Sequence, residues 1–276
     1  MKSILCAYDF SEASESALSV ASRLAVYFNA NLVVTHVYSV PVVSTEIGYI
    51  NIDDYAINES THRTLKERCE KLKIDWPDLH DVEIVVDAGF VVQKLNELAG
   101  EKNCDLVVMG IDNEKSFVKE HLLGSSSILE ARNTKMPVLI VPKNADNKKI
   151  TSILYACDYA QDFIESTSLI QVKYFTKMFN ARLNILHVLK SDHELNMKER
   201  NNDKYIESQL KSTEHNTFFI YDESAAEGII NFVKNHPTDL IIVEPHHRNF
   251  FERLFSKSTT KELAFHLNIP ILAIHG

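Results

Sequence analysis

The chain has 276 residues, 45% of them hydrophobic and 24% charged, with a mean hydropathy of −0.14. This length allows two domains of about 140 residues, each large enough to bury a core without disulfide staples. The net charge of −9 and isoelectric point near 5.7 exclude the generally basic surface that nucleic acid or an acidic membrane selects.

The first apolar run, Ile4–Tyr8, predicts a strand. After it, Ala17, Leu18, Ala21, Leu24, Ala25 and Phe28 recur at helical spacing. Ser11 is placed to cap that helix, with Glu12 and Glu15 in its first turn. A second strand is expected at Leu32–Tyr38. The long connection that follows, Pro41 to Ser60, carries Val42, Val43, Ile47, Tyr49, Ile50, Ile52 and Tyr55. Two readings of it stand: packing against its own domain or a partner, and a lid over a ligand. Trp76-Pro77 reads as a connector. Further strands are expected at Glu83–Val86, Leu106–Met109 and Val138–Val141, then a polar linker, Lys143 to Lys149.

After the linker the chain repeats itself. Ile4 to Val37 returns as Ile153 to Val188, Asp105 to Gly110 as Asp239 to Glu244, and Met136 to Pro142 as Ile269 to His275. The offsets lie between 133 and 151 residues, which marks a tandem duplication of one domain. The second set of strands falls at Ile153–Cys157, Leu183–Leu189, Phe218–Tyr221, Leu240–Val243 and Ile271–Ile274. Its helical pattern runs through Phe163, Leu169, Val172, Phe175 and Phe179, and the stretch Ser191 to Asn216 reads as a strongly charged connection. Unbroken aliphatic runs alternating with helices predict a doubly wound α/β domain, twice. The first domain is expected over residues 1–143 and the second over 148–276.

The cysteines Cys6, Cys69, Cys104 and Cys157 form no C-x-x-C pair, which fits a reducing compartment; Cys6 and Cys157 read as small core residues. No apolar run reaches membrane-spanning length and the first strand starts within four residues, so a cytoplasmic protein without membrane partners is expected.

Ligands of open α/β sheets bind beyond the carboxyl ends of the strands. There the first copy offers Asp9 and a loop starting at Gly110. Carboxylates at the helix start disfavour a phosphate beside Asp9, which suits hydrogen bonds from a base or sugar instead. The loop leads to Gly124, Ser125, Ser126 and Ser127. These serines read equally as an anion cradle at a helix N-terminus and as helix caps alone. The second copy puts Glu244 and Lys257 where the first has Gly110 and Gly124. Side chains there crowd a phosphate path, so that site is expected to be empty or repurposed, with Arg248 and Arg253 leaving room for an anion. His246 and His247 beside Glu244 lack a fourth ligand and the right spacing for zinc, so no metal is assigned. His36 and His187 occupy equivalent strand positions and read as structural. The chain has no G-x4-G-K-S/T, no GxGxxG, no GxSxG and no Cys/His nucleophile pair, so no catalytic residue is assigned.

Both copies resemble the universal stress protein family, and the whole chain resembles a tandem member of it. The residues that carry the likeness are ILCAYDFSEASESAL near the start and DLVVMG…LLGSSSILEARNTKMPVLIVP at the end of the first copy. Nucleotide-binding members have a loop of the form G-x2-G-x9-G-S/T. The resemblance implies five parallel strands in the order 3-2-1-4-5 per domain. It implies an adenine nucleotide such as ATP in the first domain only, with Mg2+ alongside. Asp9, Gly110, Gly124 and Ser125 carry over residue by residue, with Ser126, Ser127, Met109 and the backbone at Ala7 and Val37 completing the site. Asn113 stands where the second glycine belongs, one residue more separates the last pair, and Asp112 and Glu114 face Lys115 and Lys119 in the same loop. The resemblance also implies a pseudo-dimer through the last strands, Val138–Val141 and Ile271–Ile274, which removes exposed edges. A homodimer and unidentified protein partners complete the expected interactions. The function so implied is a cytoplasmic stress-response binding or signalling module. Its rivals are a scaffold or small-ligand binder without nucleotide, and a slow Mg-dependent ATPase.

Overall fold

The computed structural model describes residues 1–39, 43–45, 48–50, 54–111, 134, 136–159, 167–189, 195–244 and 268–275. Contacts divide the chain into two units, Met1–Lys143 and Asn144–Gly276.

In the first unit β1 (Ser3–Ala7) pairs in parallel with β2 (Asn31–Tyr38) on one side and β6 (Leu106–Ile111) on the other. β5 (Val82–Ala88) flanks β2 and β7 (Val138–Pro142) flanks β6, giving the order β5-β2-β1-β6-β7. Numbering only these five in chain order gives 3-2-1-4-5. Ser3, Ile4, Leu5 and Cys6 are all buried, which requires cover on both faces of the central strand. That cover comes from α1 (Glu12–Phe28) and α3 (Val91–Glu101), while α2 (Asp54–Asp75) packs on β5. A short antiparallel hairpin, β3 (Val43–Thr45) with β4 (Gly48–Ile50), lies within the long connection after β2.

The second unit repeats the plan. β8 (Ser152–Ala156) sits between β9 (Arg182–Leu189) and β11 (Leu240–Val243); β10 (His215–Tyr221) flanks β9 and β12 (Ile271–Ala273) flanks β11. Its helices are α4 (Ser168–Phe179), α5 (Met197–Leu210) and α6 (Ala225–Asn235). Here α5 corrects the reading of Ser191 to Asn216 as a connection. Asn196 caps it and Glu199 returns the bond to the cap backbone, a reciprocal box that satisfies two orphan donors. Only Ile206 and Leu210 are its buried apolar residues, so the helix shows almost no apolar stripe. The connection from Pro41 to Ser60 is corrected in the same way at its end, since α2 starts at Asp54.

The same small devices recur in both units. Asn29 and Asn180 end α1 and α4 in the left-handed conformation, at φ 51° and 50°, which asparagine tolerates better than branched residues. At the amino ends of the sheets, the Asp105 carboxylate accepts from the amides of Lys2 (2.5 Å) and Ser3 (3.2 Å). Asp239 accepts from the amides of Thr151 (2.8 Å) and Ser152 (3.0 Å). Each carboxylate therefore clamps the entry of its own first strand, a reason why this Asp appears in both copies. No helix among the described residues is long and apolar enough to cross a membrane.

Candidate functional site at the carboxyl ends of the strands

The chain leaves β1 through Tyr8, Asp9, Phe10 and Ser11. Ser11 is the N-cap of α1, its hydroxyl accepting from the Ser14 amide at 3.1 Å, as its sequence position implied. Asp9 Oδ1 accepts from the Ser11 amide (3.1 Å) and the Ser11 hydroxyl (2.5 Å). The carboxylate is thus held at the start of the helix. Its Oδ2 accepts no hydrogen bond among the described residues and is the oxygen available to a ligand.

Phe10 follows at φ 64°, a conformation that costs a residue with a β-carbon about 1 kcal/mol or more. Its ring is 43% exposed, with centroids 5.1 Å from Tyr8 and 5.0 Å from His36. His36 Nδ1 lies 2.8 Å from the Tyr8 carbonyl, which can only accept, so the ring carries its proton on Nδ1. Tyr8 itself is buried and its hydroxyl donates to Glu15, which Arg68 of α2 grips with Nε (2.9 Å) and Nη2 (2.7 Å). Burial, then the bond to Glu15, pushes the Tyr8 phenol up and keeps it a donor.

Burial alone pushes the Glu15 carboxyl up, but the bonds from Arg68 and Tyr8 and the guanidinium charge outweigh it and hold the group below its ordinary value of 4.5. A carboxyl depressed in the folded state adds stability above its unfolded value, and that stability fades as pH falls through the folded value. The latch between α1 and α2 is therefore expected to loosen at acid pH, below about 4.5. The pair is partly exposed, so the effect stays under about 1 kcal/mol. Thermal melts of wild type and Arg68→Gln from pH 7 to pH 3 check this: the gap between them should close in acid. A constant gap contradicts the latch.

Of the other predicted contacts, Ala7 and Val37 are half-buried members of the ladder, opposite Thr35 and Asp87 respectively. Met109 is a buried residue of β6, 5% exposed. Gly110 sits on β6 where it meets α1. A β-carbon there would lie 2.3 Å from the Ala13 carbonyl oxygen and 2.7 Å from the Ser14 nitrogen. The glycine is thus required by strand-helix packing, whatever binds nearby. Gly124, Ser125, Ser126 and Ser127, with Asn113 and the lysines Lys115 and Lys119, lie outside the described residues, as do His246, His247, Arg248, Arg253 and Lys257.

The second unit has the same corner with different occupants. Tyr159, aligned with Phe10, keeps a negative φ and is 0% exposed. Its ring stacks on His187 at 4.7 Å and 17°, and Phe219 meets its edge at 5.5 Å. Asn202 of α5 donates to its carbonyl at 2.7 Å. Sequence reasoning paired the two copies here but missed that Tyr159 turns inward; the phenol, which finds Asp203 at 3.4 Å, was the available signal. Cys6 of the first copy is replaced by Tyr155, whose hydroxyl donates to Glu244. Both are buried, and burial with the Glu244 charge holds the Tyr155 phenol well above its ordinary range. Glu244, which stands where the first copy has Gly110, is buried against its own sheet. Among the described residues, Tyr159, Tyr155 and Glu244 are buried side chains at the carboxyl end of the second unit. His187 Nδ1 lies 3.1 Å from the Cys157 carbonyl, as His36 Nδ1 lies near that of Tyr8, but here the Tyr159 amide also points at it, at 3.2 Å.

The sequence profile described as the universal stress protein family matches residues 1–142 and again 152–275. A universal stress protein from Archaeoglobus fulgidus DSM 4304 matches in structure with a TM-score of 0.71 and 17% identity, covering 99% of this chain and 98% of that one. The protein PA1789 from Pseudomonas aeruginosa PAO1 matches with a TM-score of 0.60 and 13% identity, over 99% of this chain and 92% of that one. A universal stress protein from Pseudomonas aeruginosa UCBPP-PA14 matches with a TM-score of 0.58 and 13% identity, over 99% and 93%. These likenesses establish the fold. No curated protein matches the chain in sequence. Two successive profile matches on two units of the same topology make this chain a tandem member of the universal stress protein family.

Proposed function

We propose that the chain is a stress-response binding module whose first unit takes an adenine nucleotide and whose second unit does not. The observation that carries this reading is the asymmetry of the two carboxyl ends. In the second unit Tyr159, Tyr155 and Glu244 are buried at the corner; in the first, Phe10 stays at the surface and Asp9 Oδ2 accepts no hydrogen bond among the described residues.

The residues of the first unit fit the group. Asp9 Oδ2 would accept from a ribose hydroxyl or a base amine, while the carboxylates of Glu12 and Glu15 keep the phosphates away from the start of α1. The phosphates and a Mg2+ ion would then belong with Gly124, Ser125, Ser126 and Ser127. Backbone amides and hydroxyls there suit anions. Without an assigned base or nucleophile, binding is the function and hydrolysis at most incidental.

Titration of nucleotide-stripped protein with Mg-ATP by calorimetry tests this. One site per chain is expected, lost in Gly124→Lys, which copies the second unit's residue. At a hundredfold excess over Kd, binding should add about 2.7 kcal/mol of stability, visible as a thermal shift. No heat and no shift would favour a scaffold without nucleotide.

A further inference from the structure

The second unit carries a groove of about 620 Å3 at the far end of its sheet from the filled corner. It is lined by Ile170, Lys173, Tyr174 and Lys177 of α4, by Arg182 at the start of β9, and by Ser212, Thr213 and Glu214. Ile170 is 62% exposed and Tyr174 47%, an apolar pair one helical turn apart. Lys173 donates to the Gln209 carbonyl at 3.1 Å, which fixes its ammonium beside the groove. Lys177 and Arg182 have no ion-pair partner among the described residues. Three cations therefore face one carboxylate, on a chain whose net charge is −9.

Comparison of the copies shows that this surface belongs to the second unit alone. Aligned on the caps Asn29 and Asn180, the first copy has Ser19, Ser22, Arg23, Val26 and Asn31 where the second has Ile170, Lys173, Tyr174, Lys177 and Arg182. A lysine in the last turn of a helix complements the helix dipole and needs no other reason. That accounts for Lys177. It does not account for Arg182 at the entry of β9 or for the two exposed apolar side chains.

We propose that this groove docks an acidic peptide segment of a partner protein, with an aliphatic or aromatic side chain seated against Ile170 and Tyr174 and carboxylates paired with Lys173, Lys177 and Arg182. Arginine and tyrosine are the residue types that dominate such contacts. Nucleic acid is the poorer fit, since three cations neutralise few phosphates and the rest of the chain repels them. An anionic membrane is disfavoured for the same reason. The proposal is independent of nucleotide in the first unit.

The test uses the full chain and a fluorescein-labelled octapeptide of glutamates and aspartates around one phenylalanine and one leucine, followed by anisotropy at low salt. Saturable binding is expected, weakened about tenfold or more by the paired reversal Lys177→Glu and Arg182→Glu, and weakened also by Tyr174→Ala. These side chains are exposed, and unchanged melting curves will show that the variants fold. Three results overturn the proposal: no saturable binding, equal binding of a peptide with glycine in place of its phenylalanine and leucine, or tighter binding of single-stranded DNA or phosphatidylserine vesicles than of the peptide.

Discussion

Gly110→Val is expected to destabilise the first unit by about 3 kcal/mol, the upper end for overpacking. A β-carbon at this position would meet the Ala13 carbonyl carbon at 2.4 Å and its oxygen at 2.3 Å, so the obstacle is the backbone of α1, not a side chain that can rotate away. Either β6 or the first turn of α1 must shift, and α1 also carries the Ser11 cap and the Glu15 latch to α2. For a unit of this size the loss corresponds to a fall in Tm of roughly 10 °C. Gly100→Ala is the matching control. It lies in α3 with nothing within 4 Å of the added carbon, and helix propensity alone should stabilise it by about 0.5–1 kcal/mol. Calorimetric melting of the two variants decides: if Gly110→Val melts like wild type, the close approach of β6 and α1 is wrong. The result also bears on the ligand site. A variant that disturbs the fold cannot report on nucleotide, which is why Gly124 carries that test.

Tyr159→Ala should cost about 4 kcal/mol, in the range for truncating a fully buried aromatic ring. The change removes the stack on His187 and the edge contact with Phe219, and it opens a void under α5. The aligned change in the first unit, Phe10→Ala, should cost about 1 kcal/mol or less. Its ring is 43% exposed, and the left-handed backbone that strains phenylalanine strains alanine equally. Denaturant unfolding of the full chain, followed by a probe in each unit, measures both. Equal costs would remove the distinction between a closed corner in the second unit and an open one in the first.

Much of this fold was readable in the residues. Every strand of the two sheets falls on an apolar run, because a central parallel strand is buried on both faces and its sequence shows it. The bounds shift at the ends: Ser3, Asn31, Val82, His215 and Ile111 join the ladder, while Tyr8, Cys157 and Ile274 fall outside it. α5 was not readable as a helix from periodicity, since Glu199 and Asn202 are buried polar residues on a helix with few apolar ones. Its Asn196-x-x-Glu199 box was the better signal. At the site, Asp9 and Ser11 follow from capping chemistry. Tyr159 and Glu244 do not, because a side chain that turns into its own domain answers to neighbours distant in sequence: His187, Phe219 and Asn202 for one, Tyr155 for the other. Gly110 taught a further lesson. The absence of a side chain at this strand end is also what lets α1 approach β6.

The clamps made by Asp105 and Asp239 lie at the opposite end of each sheet from the ligand corner. What fixes the first strand in place is thereby separate from what that strand presents. A duplicated copy can close its corner, as Tyr159 and Glu244 have done, without loosening the anchor that lets it fold. Duplication in this architecture frees one copy to change its corner while it keeps its frame.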